Sequence, residues 1–251
     1  MTHLLLRLSL LVLLTSIGAC SSSPQIQPQA ADYPEPVFTA EAILPPDHVD
    51  LTAVYDPWEN MNKHIYNFNY EFDNAVYLPI VRGYETVLPS FARTGVSNFF
   101  RNLVDVTSMF NSVLQLAPTK FFQNTGRVLV NSTVGIFGLV DVASKMKIPR
   151  PVEDFGQTLG HWGVGQGPYL VLPFLGPSNL RDSAGLLPDF YVAGAASDAI
   201  FSSEVTLGAF IVYPINARAN NPFRYYQNGS AFEYEMVRWL SSTKRKLDVN
   251  E

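Results

Sequence analysis

From Met61 onward, apolar residues recur at spacings of three and four. Met61, Ile65, Phe68 and Phe72 mark one face of a first helix. Asp56-Pro57-Trp58-Glu59 supplies an N-cap residue, a proline suited to the first helical position and an early carboxylate, so the helix is expected to open there. The opposite face carries Asn60, Asn62, Lys63, Asn67 and Glu71, and Pro79 ends or bends the pattern. A second helix is predicted from Pro89-Ser90, with Val96, Phe99, Leu103, Val106, Phe110 and Val113 as its stripe and Phe100, Val104 and Leu114 widening it. Its other side (Asn98, Arg101, Asn102, Asp105, Ser108, Ser112, Gln115) is polar yet nearly neutral. Such a helix either turns its stripe to a core or lies flat in a membrane interface, with Phe99, Leu103 and Phe110 toward lipid. Pattern alone favours the core.

Pro118-Thr119 opens a third helix through Phe121, Phe122, Val128 and Leu129, passing into residues 134–143, where Gly135 and Gly138 permit a bend or close approach. Residues 190–213 are largely apolar, with only Asp198 and Glu204 charged, and predict either buried helix or one or two interfacial helices. A final helix is expected over about residues 223–247, with Phe232, Met236, Trp239 and Leu240 on its apolar face and Lys244, Arg245 and Lys246 near its C-terminal end. Between the third helix and the apolar stretch lie residues 155–189, with glycines at 156, 160, 163, 165, 167, 176 and 185 and prolines at 168, 173, 177 and 188. Glycine weakens helix and proline removes a donor, so this segment predicts a packed, irregular backbone element; a long surface loop is the other reading. Alternation of β-branched residues is scarce, and the fold class is all-α.

The first 20 residues add a compartment. Arg7, the apolar run 8–14 and Ile17-Gly18-Ala19 before Cys20 look like a bacterial lipoprotein signal peptide over residues 1–19, too short to span a bilayer. Processing would attach diacylglycerol to the Cys20 thiol and an acyl chain to its amine, several chains anchoring where one would bind only marginally. Cys20 is the only cysteine, which excludes an intrachain disulfide. Ser21 follows it, a pattern that resembles sorting to the outer membrane in enterobacterial lipoproteins. Residues 20–54 are rich in serine and proline and read as a tether, either extended or lying along the protein. Residues 55–251 form one helical domain, long enough for a real core.

Composition narrows the function. Only 16% of residues are charged, 13% are aromatic and the net charge is −5, which disfavours nucleic-acid binding and suits a protein that meets lipid with amphipathic faces. After the signal, no apolar run of about 18 residues suggests a membrane-spanning helix. No His-x-x-x-His or Cys-x-x-Cys pair supports a metal site. His64 is expected at the surface. His161, with Asp154 and Ser178 or Asp182, invites a hydrolase reading, but no Gly-x-Ser-x-Gly accompanies it, and a buried histidine bonded to backbone is the simpler expectation. Gly160-x-x-Gly163-x-Gly165 lacks the Lys-Ser/Thr of a phosphate loop. Arg181 and Asp182 are adjacent, and adjacent residues do not face each other on a helix, so each is expected to find another partner. They are either a cap or structural ion pair, or a polar contact inside a lipid passage. No residue set points to catalysis.

Two long motifs carry a resemblance. Tyr55-Asp56-Pro57-Trp58-Glu59-x-x-Asn62-Lys63-x-x-Tyr66-Asn67-Phe68-Asn69 resembles the opening motif of the MlaA (VacJ) family of outer-membrane lipoproteins. Phe155-Gly156-Gln157-Thr158-Leu159-Gly160-His161-Trp162-Gly163-Val164-Gly165-x-Gly167-Pro168-Tyr169, continuing through Gly176-Pro177-Ser178 to Arg181-Asp182, resembles its second motif, and Ser97-Asn98-Phe99-x-x-Asn102-Leu103 is a weaker third match. Together they cover roughly Asp56 to Asp182. The resemblance implies a ring-like arrangement of amphipathic helices around a channel, lipid-anchored on the periplasmic side of the outer membrane. It further implies removal of phospholipids from the outer leaflet, a trimeric porin as neighbour and the soluble periplasmic carrier MlaC as recipient. Asn67 and Phe68 would border the channel. Gly163, Gly165 and Gly167 are candidates for a gate, and Arg181 and Asp182 for its polar lining. A non-transporting scaffold beside the porin and a lipid or peptidoglycan hydrolase are the competing functions.

Overall fold

The computed structural model describes residues 51, 53–227 and 229–250. The predicted signal peptide, Cys20 and most of the predicted tether lie outside the described residues. α1 (Glu59–Phe72) runs through a π-helical turn (Asp73–Tyr77) into α2 (Leu78–Val87). Pro79 therefore does not end the helix. Leu78 donates its N–H five residues back to Asp73, and the widened turn leaves Pro79 at the start of α2, where a missing N–H is tolerated. α1 also opens later than Asp56. Trp58 is its N-cap, and Asp56 instead accepts from Asn62 Nδ2 (2.8 Å), Tyr234 OH (2.5 Å) and Arg238 Nη1 (3.1 Å).

α3 (Ser90–Leu114) and α4 (Pro118–Thr133) pack against each other, and residues 134–140 form turns rather than prolonging α4. After α5 (Val142–Lys145) comes the glycine-rich segment, which is more regular than its composition suggests. It contains α6 (Phe155–His161), the antiparallel strands β1 (Tyr169–Leu172) and β2 (Gly176–Asn179), and the start of α7 (Leu180–Asp198). Two local devices make α6 possible. Asp154 and Gln157 form a reciprocal capping box at its start. At its end Gly163, with φ +87°, donates to Gly160 O (2.9 Å) while Val164 donates to Leu159 O (2.9 Å), a Schellman stop that favours glycine. α8 (Ser203–Ala219) and α9 (Glu233–Asn250) complete the chain, so the apolar stretch is two helices and the last helix starts ten residues later than expected.

The interior is polar. Among the described residues only seven hydrophobic side chains are buried, against twenty-five polar or charged ones, while thirty-eight large hydrophobics are exposed. The expectation that the apolar stripes face a core is therefore corrected. On α1 the buried positions are Asn62, Tyr66 and Asn69, joined by Asp73 of the π turn, whereas Met61 and Phe68 are exposed. On α3, Asn102, Asp105, Ser108, Asn111 and Ser112 turn inward, as does the C-cap Gln115, and Phe91, Phe110 and Val113 turn out. On α9, Glu233, Tyr234, Arg238 and Ser242 are inside and Leu240 outside, as is Phe232 just before the helix.

Burying polar groups is costly unless they are partnered, and most here are. Arg127 bonds Asp105 (3.0 Å), Asp141 (3.1 Å) and Ile148 O (3.0 Å), and Arg150 takes the other oxygen of Asp105 (2.6 Å). Arg218 spans α8 to the π turn through Asp73 (2.5 Å). The small hydrophobic core consists of Tyr66, Tyr169, Val171 and Tyr234. Tyr225, Tyr226 and Tyr234 meet the Tyr66 ring edge-on.

Candidate functional site

Two cavities adjoin within the helical assembly. One, of about 340 Å³, is almost wholly apolar and is lined by Phe100, Leu103 and Val104 of α3, Leu186, Phe190 and Ala193 of α7, and Ala209, Phe210 and Tyr213 of α8, with Leu175 from the hairpin turn. The other, of about 320 Å³, is lined mainly by polar and charged residues, Ser178 and Asn179 at the end of β2, Asp182 at the start of α7, and Ser241, Ser242, Lys244, Arg245 and Asp248 of α9. Asp154, Leu186 and Asp189 line both. The pair thus presents an apolar compartment that changes to a polar one across a single helix, α7.

The seam is held by charge. Arg245 donates from Nη1 to Asp154 Oδ2 (2.7 Å) and from Nε to Asp182 Oδ2 (2.6 Å), and so ties α9 to the start of both α6 and α7. Burial works against the charged guanidinium, but the two carboxylates outweigh it and raise its pKa further. Asn179 caps α7 by accepting from Asp182 N (2.9 Å). α6 and α7 can lie this close because a Cβ on Gly185 would sit 2.6 Å from Gly156 N. Above this layer Glu153 takes Lys120 (2.7 Å) and Gln115 (2.9 Å), and Thr158 donates to Asn111 Oδ1 (2.8 Å).

The hairpin is fixed from α1 by side chains in place of a third strand. Asn62 donates to Tyr169 O (3.1 Å) and accepts from Val171 N (2.9 Å). Asn69 donates to Leu172 O (3.0 Å) and accepts from Phe174 N (2.8 Å). The two asparagines are two helical turns apart, about 10 Å, which matches about three residues of strand.

The sequence candidates fall in different places. Leu103 lines the apolar cavity, Phe110 is exposed on the outer face of α3, and Phe99 packs edge-on against Phe100 and Phe201. Asp182 lines the polar cavity. Arg181 is buried beside it and, contrary to expectation, pairs directly with its neighbour, Nε to Asp182 Oδ1 at 2.8 Å. Asn179 Nδ2 draws Asp182 back toward the cap at 2.6 Å, within reach of the curled arginine. Asn67 accepts from Tyr226 OH, and Phe68 stacks on Phe72 and meets Phe174 edge-on at 5.4 Å; neither lines these two cavities. Gly163, Gly165 and Gly167 follow α6 outside both cavities, with Gly163 spent on the Schellman stop and Gly167 3.2 Å, by its added Cβ, from Leu180. His161 is exposed rather than buried, because Trp162 donates to Leu114 O and turns the end of α6 outward. His64 is exposed, as expected.

Sequence reasoning missed Leu186, Asp189, Phe190 and Phe210. The apolar composition of residues 190–213 pointed to the region but not to which side chains meet. No group of three or more metal-ligating side chains occurs among the described residues. No described helix is long and apolar enough to cross a membrane.

Comparison with known proteins agrees with this architecture. The model of a family described as MlaA lipoprotein matches residues 54–248. A protein of Rickettsia felis is 35% identical over 201 residues, 78% of each chain. The intermembrane phospholipid transport system lipoprotein MlaA of Escherichia coli K12 is 39% identical over 142 residues, 54% of this chain and 56% of that one. A solved chain, described under the structural basis for maintenance of bacterial outer membrane lipid asymmetry, is similar with a TM-score of 0.61 and 30% identity, over 77% of this chain and 98% of its own.

Proposed function

The chain belongs to the MlaA lipoprotein family, and we propose that it maintains outer-membrane lipid asymmetry by withdrawing phospholipid from the outer leaflet. Anchored through Cys20, the helical domain lies among acyl chains on the periplasmic side of that membrane, beside a trimeric porin. A phospholipid descends with its acyl chains along the apolar cavity and its headgroup along the polar one, and passes to the soluble carrier MlaC. No bond is made or broken, and the protein is not an enzyme.

The single observation that carries this reading is the reversed polarity. In water, thirty-eight exposed large hydrophobics would forgo a substantial part of their burial energy, about 1.5–3 kcal/mol for each side chain when fully buried. Among lipid chains the same side chains are at home, and polar groups must then find partners inside, as the buried Arg127 and Asn111 and the half-buried Arg245 do. The paired cavities give the passage its logic. Each acyl CH₂ kept out of water saves about 0.8 kcal/mol, so chains stay on the α3–α7–α8 side while the headgroup follows α9.

The test is made in cells. Deleting the protein should raise surface-exposed phospholipid in the outer leaflet, wild type should reverse it, and C20A should not. An unchanged outer leaflet in the deletion, with a porin complex still formed around the restored protein, would instead support a scaffold without transport.

A further inference from the structure

Asp189 is set apart from the other acids of the site. Four carboxylates line the polar cavity, Asp154, Asp182, Asp189 and Asp248, against two cations, Lys244 and Arg245. Arg245 serves Asp154 and Asp182, and Lys244 serves Asp248 at 2.6 Å. In the apolar cavity Glu153 has Lys120. Among the described residues, Asp189 alone of the acids lining the two cavities makes no ion pair. Its oxygens accept from Phe155 N (3.0 Å) and Asn111 Nδ2 (2.9 Å), and it lines both cavities at the seam where apolar turns to polar. Burial, with the nearby Asp154 charge, raises its pKa and outweighs the hydrogen bonds from Phe155 and Asn111 and the field of Arg245.

Resting on the passage described above, we propose that Asp189 is a headgroup subsite that selects phospholipids bearing a primary ammonium over those with an anionic glycerol headgroup. A lipid whose chains fill the α3–α7–α8 cavity brings its headgroup to this seam. An ammonium there supplies the missing positive charge and up to three N–H donors. An anionic headgroup adds negative charge to a lining already richer in carboxylates than in cations, and like charges at short range repel. Ser242 lines the same polar cavity and offers a hydroxyl donor to the phosphate, while Ser178 and Ser241 bond within the protein.

The experiment uses full-length lipidated protein equilibrated in non-ionic detergent micelles with equal amounts of phosphatidylethanolamine and phosphatidylglycerol. Bound lipid is extracted and quantified by mass spectrometry. Wild type is expected to hold the ethanolamine lipid in about fivefold excess, the scale of one partly exposed ion pair. D189N should bring the ratio to about one. D189N also alters a tie between α7, α3 and α6, so L186K is the second variant. It places a cation on the same seam, leaves the hydrogen bonds of Asp189 intact, and should likewise erase the preference. A wild-type ratio of one, or a preference kept by both folded variants, overturns the subsite while leaving the passage standing. A wild type that retains no lipid of either kind overturns the passage as well.

Discussion

Asn62 and Asn69, seven residues apart on α1, each use both ends of the side-chain amide on the hairpin backbone, Asn62 on Tyr169 and Val171 of β1 and Asn69 on Leu172 and Phe174 at the turn. Two side chains thereby close a strand edge that would otherwise expose unpaired N–H and C=O groups. They also fix the turn that carries Leu175 into the apolar cavity. Changing Asn69 to Asp keeps the acceptor for Phe174 N and removes the donor to Leu172 O. N69D should cost about 1–3 kcal/mol, measured by chemical unfolding in detergent, and N69L more, because both backbone groups then lose their partner.

Arg245 joins α9 to the starts of α6 and α7, and its planar fork reaches two carboxylates at once. R245K keeps the charge without the fork and is expected to restore only part of the thermal stability lost in R245A. Equal stability of R245K and wild type would show that charge alone suffices.

Gly185 lies against the backbone of α6 at Gly156. A methyl group there forces the helices apart, so G185A should lower stability by about 1–3 kcal/mol and disturb the seam between the cavities. Thermal unfolding with and without added phospholipid reads both effects. A neutral G185A would mean that the crossing yields without strain.

Acid sensitivity has a definite sign at Asp141. Burial opposes its ionisation, but the Ser144 hydroxyl and amide, Arg127 and Asn131 outweigh it and hold the carboxyl at about 2, below the ordinary 3.8. A depressed folded-state pKa contributes stability that is fully present above the ordinary value and is lost as pH falls from 3.8 through about 2. D141N should therefore be less stable than wild type at neutral pH, with the gap closing across that window. Denaturant midpoints taken every half unit of pH check this.

Much of the fold is legible in the local pattern. Spacings of three and four mark α1, α3 and α4, and Ser90 and Pro118 open their helices as predicted. Periodicity is blind to which side is inside, however, because that depends on the medium around the protein. The polar side of α3 held the clue: Asn102, Ser108, Ser112 and Gln115 are uncharged, and a face turned to water usually carries lysine and glutamate. The motif around Arg181 and Asp182 marked the polar cavity, since Asp182 lines it. The apolar cavity was hidden, because it needs α3, α7 and α8 brought together and no local pattern encodes that packing. The hairpin was equally hidden. Its strands Tyr169–Leu172 and Gly176–Asn179 are four residues each, and they are fixed by asparagines more than a hundred residues earlier in the chain.

The proposed passage places lipid chains in the cavity between α3, α7 and α8. Ala193 lines it, and a tryptophan there would fill much of its volume without touching the Cys20 anchor. The measurement is surface-exposed phospholipid in cells whose only copy is A193W, at matched protein level in the outer membrane. The account predicts exposure close to that of the deletion. Wild-type asymmetry with A193W present at full level would contradict it.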